Sequence, residues 1–170
     1  MIRRVAFGKA LLGGAAGALT WEAVARVLIW TGVPIFDIVY VLGTMVLGRV
    51  AAWQWWPVGM ALHMMVGMIW AIFYAYFFWS TFDWPPAVQG LVFSLGPAVL
   101  AGLVMVPQMG LMHPLVLQGE MSYPGIFGLN LGRGGPMGVL LGHVVYGATL
   151  GGLYTRPVGH ATGRRVGRHA

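Results

Sequence analysis

The sequence predicts an all-α integral membrane protein: a four-helix bundle built as two hairpins, with a short interfacial helix after the first span. Three observations carry this reading. Of 170 residues, 58% are hydrophobic and only 8% charged, whereas soluble domains are about 25% charged. Gly59 to Phe78, GMALHMMVGMIWAIFYAYFF, runs for twenty residues without a formal charge. At about 1.5 Å per residue that run covers the roughly 30 Å of hydrocarbon in a bilayer. Seven of the ten basic residues lie at the two ends: Arg3, Arg4, Lys9, Arg156, Arg164, Arg165 and Arg168. The positive-inside rule then places both termini in the cytoplasm and requires an even number of crossings. The chain has no cysteine, which excludes disulfides, thiolate metal sites and cysteine nucleophiles.

The first span is expected over about residues 5–30. Its run continues past Ala18 into Trp21 and Val27 without a small-residue cleavage site, so it reads as a retained helix and not a signal peptide. Its first half is rich in glycine and alanine, which lets another backbone approach closely. Its second half carries Glu22 and Arg26, four residues apart and on one face. Pro34 ends it. Ile35 to Gly43 is apolar but too short to cross and reads as a helix lying at the interface. Trp53, Trp55 and Trp56 mark an aromatic belt, and the second span follows over 57–79. Asp83 and Pro85-Pro86 make a tight turn. The third span covers 87–109 with Gly96-Pro97 at its middle, and 111–135 is a Gly/Pro-rich irregular outer loop. The fourth span covers 136–154. Residues 1–155 thus form one membrane domain, and 156–170 a basic cytoplasmic tail.

The second and fourth spans echo each other. His63, Gly67 and Tyr74 recur as His143, Gly147 and Tyr154, at offsets of four and eleven. At about 100° per residue each trio lies on one helix face, consistent with a weak two-fold repeat of hairpins. Both spans start at the outer surface, so the two histidines lie at similar depth. Arg26 and Glu22 approach that depth from the first span and Gln108 from the third. Ionisable groups in spans are costly and face the interior or one another.

Two readings follow. In one, Glu22 pairs with Arg26 and the histidines bond to carbonyls, locking the bundle. In the other, Gly67 and Gly147 clear space beside His63 and His143 for a bound group. The occupant would be a b-type haem or chlorin ligated by His63 and His143 as metal ligands, with Arg26 on a propionate, or a quinone headgroup. Met60, Met64, Met65 and Met68 around His63, and Met105, Met109, Met112 and His113, would suit Cu(I), although the first set has the helical spacing of core packing. Leu150 is expected to face lipid. No hydrolytic motif occurs, and the GRGG piece at 132–135 lacks the lysine and spacing of a phosphate loop. The basic ends are explained by topology and anionic lipid, without nucleic acid.

Several short motifs resemble an uncharacterised family of small four-span bacterial inner-membrane proteins. They are Gly32-Val-Pro-Ile-Phe-Asp37 leading to Val41-Leu-Gly43, His63 with Gly67 and Tyr74, Val104-Met-Val-Pro-Gln-Met-Gly110, and His143-Val-Val-Tyr-Gly147 with Tyr154. The resemblance implies architecture and the bacterial inner membrane, and carries no activity. The leading expectation is a non-enzymatic membrane protein, an accessory or structural subunit of a larger membrane assembly in contact with lipid. The alternative is a redox or pigment-binding protein using the two histidines.

Overall fold

In a computed structural model, which describes residues 5–79 and 81–154, the regular elements are all helical. Four helices are long and apolar enough to cross a membrane: α1 (Phe7–Trp30), α3 (Ala52–Phe78), α4 (Pro86–Met112) and α6 (Gly134–Leu153). Between them lie α2 (Ile38–Leu47), α5 (Pro114–Leu117) and a 3₁₀ turn (Ile126–Leu131). The arginine clusters at both ends and the expected tail at 156–170 lie outside the described residues.

Local chemistry sets the boundaries. Thr31 and Gly32 close α1 through bonds back to Val27 and Ile29, and Pro34 follows. The Asp37 carboxylate accepts from the Tyr40 N–H at 2.9 Å and caps α2. Helix α3 starts at Ala52, earlier than the aromatic belt implied, because the Gln54 side chain accepts from the Ala51 N–H at 3.2 Å. Pro86 opens α4, where its missing donor costs nothing. Pro97 interrupts the middle of α4, and the ladder passes into a π-helical stretch over Ala101–Met105. A second π stretch, Tyr74–Phe78, ends α3.

Small residues decide which helices meet. A Cβ placed on Gly14 of α1 would lie 2.5 Å from the Gly67 carbonyl of α3, and one on Gly67 would lie 2.8 Å from the Gly14 carbonyl. A Cβ on Gly147 of α6 would lie 2.5 Å from the Gly90 carbonyl of α4. Both pairs of helices therefore touch backbone to backbone, as glycine permits in a membrane where water expulsion supplies no drive. Helix α1 also packs on α6: Gly17 receives the Tyr146 ring, and Gly13 receives Leu150. Leu150 is thus fully buried, not lipid-facing as expected. The α6 glycines let α1 and α4 come in on opposite sides, and Leu150 fills the seam toward α1. At one end of the molecule the rings of Tyr74 and Tyr154 meet edge to face at 5.8 Å. There the Tyr154 hydroxyl accepts from the Ala6 N–H at 3.2 Å.

The segment from 113 to 133 is more ordered than an irregular loop. His113 is completely buried. Its Nδ1 accepts from the Leu115 N–H at 3.2 Å, which leaves the proton on Nε2. That Nε2–H faces the Val41 carbonyl at 3.1 Å and the Thr44 hydroxyl at 3.2 Å, fastening the segment to α2. His113 is therefore a packing residue, which removes it from the copper set. Arg49 and Glu120 add an ion pair. Phe127 takes the left-handed backbone, φ 51°, unusual for an aromatic residue. Its ring lies against Gly102 in the π stretch of α4, and that packing offsets the strain.

Candidate functional site

A cavity of about 310 Å³ lies between α3 and α4. Helix α6 forms its floor, with Trp21 of α1. Trp70 and Phe73 of α3 line it, and Trp70 stands edge to face against Phe93 of α4 at 6.3 Å. One end is shut by the buried cluster of Phe36, Val106, Met109 and Val139. The lining residues Val66, Ile69 and Phe73 of α3 and Leu100 and Met105 of α4 are also exposed on the outer surface. The cavity therefore opens sideways, between two helices apolar enough to span a bilayer.

Among the described residues no Asp, Glu, Lys or Arg lines this cavity. His63 and His143 do, from α3 and α6. The His63 Nδ1 is shielded from solvent and has no hydrogen-bond partner among the described residues. A buried nitrogen without a partner carries a desolvation penalty of about 1–3 kcal/mol. The His143 Nδ1 lies 2.7 Å from the Val139 carbonyl, one turn earlier on the same helix. Tyr146 also lines the wall, but its hydroxyl is committed to the Gly67 carbonyl at 2.6 Å.

The other residues singled out from sequence fall elsewhere. Glu22 and Arg26 pair at 2.7 Å, as their spacing implied, but the guanidinium also reaches Asp37 at 2.6 Å. The Glu22 carboxylate additionally accepts from Trp56 Nε1 at 2.9 Å. This charged network joins α1, the start of α2 and α3, and neither Glu22 nor Arg26 lines the cavity. Gln108 is exposed and stands apart from both groups. Gly67 reaches the cavity wall, while Gly147 is behind it against Gly90 and Ser94. The space left by both glycines is taken by neighbouring helices and not by room for a macrocycle. Among the described residues no three His, Asp or Glu side chains group as a metal site.

Sequence reasoning missed Asp37, because the residue sits in a connector eleven positions from Arg26. Its place just before an apolar helix was the available signal, since an acidic residue there caps the helix and brings its charge inward. Trp21 and Tyr146 were also missed. In apolar runs nothing distinguishes an inward ring from a lipid-facing one.

Four candidate spans and an apolar exterior define a multi-pass membrane protein. Comparison of the chain with known families, with characterised proteins and with solved structures finds no match.

Proposed function

We propose that the protein is a non-enzymatic membrane protein that holds a largely apolar, uncharged ligand between His63 and His143. It would serve a larger membrane assembly as an accessory subunit, in the bacterial inner membrane with both ends cytoplasmic. The observation that carries the ligand reading is the unpartnered, shielded His63 Nδ1 on the wall of an apolar cavity shared with His143. A cavity with few polar groups and a lateral mouth suits a molecule that reaches its site through the bilayer.

The quinone class fits this wall better than a tetrapyrrole. A haem brings two propionates, and among the described residues the wall offers no cation to meet them. Arg26, the residue expected to meet a propionate, is already held by two carboxylates. Burying unpaired carboxylates would cost several kcal/mol, whereas a neutral head needs only hydrogen bonds.

Purification in mild detergent, followed by absorbance and mass spectrometry of an organic extract, tests the reading. A stoichiometric lipid-soluble aromatic compound is expected, and it should be lost in His63→Leu. A Soret band would replace the quinone class with haem. A bare protein spectrum together with an extract holding only phospholipid would leave the accessory role without a ligand.

Orientation is tested separately. Reporters fused at either end should be active in the cytoplasm, and one inserted at Gly119 should be active outside. Gly119 is an exposed turn position with nothing within 4 Å of its missing side chain. Opposite locations for the two ends would rule out four crossings.

A further inference from the structure

We infer that the bound head donates a hydrogen bond to His143 Nε2. The occupant is then a planar head bearing a hydroxyl, a quinol or other phenol, in preference to its carbonyl or ether counterpart. This inference rests on the reading of the cavity as a ligand site.

The argument begins with the proton on His143. Its Nδ1 lies 2.7 Å from the Val139 carbonyl oxygen, and a carbonyl can only accept. The proton is therefore on Nδ1, and in a neutral imidazole Nε2 is left as a bare acceptor. A doubly protonated ring would place an uncompensated charge on a wall that has no carboxylate among the described residues. His143 thus presents an acceptor to the cavity, and a quinone carbonyl there would set two acceptors face to face. His63 is the complement. A neutral imidazole has one N–H and one bare nitrogen, and the shielded Nδ1 has no protein partner among the described residues. Its N–H can donate to an oxygen of the same head. One hydroxyl-bearing ring can satisfy both histidines; a ring with carbonyls alone satisfies only His63.

The rest of the wall agrees. Trp21, Phe36, Trp70 and Phe73 supply flat apolar faces for a ring. An alkyl or prenyl tail leaves between α3 and α4, past Ile69 and Leu100, into the surrounding lipid.

The test uses a pair of probes, para-decylphenol and its methyl ether para-decylanisole, in which a methyl group replaces the hydroxyl proton. Each is titrated calorimetrically into the full-length protein in detergent, with protein-free micelles as the partition blank. The phenol is expected to bind about tenfold more tightly than the ether, the value of one well-made hydrogen bond in an apolar site. In His143→Leu the preference should collapse while the ether still binds. Should both probes bind the wild type equally, the donor assignment falls and the cavity remains a ligand site. A phenol preference that survives in His143→Leu also overturns it, because the hydroxyl is then read elsewhere. Binding of neither probe would remove the ligand reading together with the inference.

Discussion

Gly147→Leu is expected to prevent the protein from accumulating as a monodisperse species in detergent. A single Cβ at this position would come within 2.5 Å of the Gly90 carbonyl and 2.6 Å of the Ser94 Cβ. The obstruction on the α4 side includes backbone, so a rotamer change cannot relieve it. The two helices must separate, losing dispersion contacts along their whole interface. Overpacking a well-filled core costs about 1–3 kcal/mol, and a backbone obstruction puts this variant at or above the upper end. Gly96→Leu is the matched control, because nothing lies within 4 Å of its missing side chain and the residue is exposed. That variant should behave like the parent. Unfolding midpoints in an SDS titration provide the measurement. A parental midpoint for Gly147→Leu would mean that α4 and α6 do not pack as described.

The second large effect should come from Arg26→Met. The guanidinium stands between Glu22 and Asp37, whose side chains are 6% and 22% exposed. Removing it leaves two carboxylates near each other with Trp56 Nε1 as a remaining donor to Glu22. Breaking a buried ion pair by deleting one partner costs about 3–5 kcal/mol. The arginine keeps 35% of its side-chain surface, so about 3 kcal/mol is the appropriate figure. Neutralising both acids in the same background, Arg26→Met with Glu22→Gln and Asp37→Asn, should recover most of the loss. If the triple variant is no more stable than Arg26→Met alone, the single variant's cost came from lost packing by the arginine stem and not from stranded charge.

The four long helices were legible in the sequence because length and apolar content set that property directly. Gly59 to Phe78 can be little else at this composition. The Glu22–Arg26 contact was legible for a similar reason, since helical spacing alone brings the two side chains together. The cavity's polar pair was traceable because each histidine stands in an apolar span and recurs with the same Gly and Tyr spacing. What the sequence left hidden depends on rotation about the helix axis. In a soluble helix the polar stripe shows which face is outward, but here lipid and core are equally apolar. Leu150 was placed outward for that reason and is buried. His113 was assigned to a loop because His-Pro reads as a break, and the break is real: α4 ends there. The buried bonds the ring makes on the far side of the break involve residues about seventy positions away, a distance no local pattern encodes.

The hydrogen bond from Ala6 to the Tyr154 hydroxyl has a consequence for connectivity. It brings together residues 148 positions apart, so the described chain comes close to forming a closed ring. In such a ring the order of helices along the polymer is largely a matter of where the ring is cut. Joining the two ends with a short linker and opening the chain in the Asp83–Pro85 turn would change the sequence order and leave α1 on α3 and α6 on α4. The molecule is therefore a natural candidate for circular permutation, with the pairing of its long helices written in the glycine contacts.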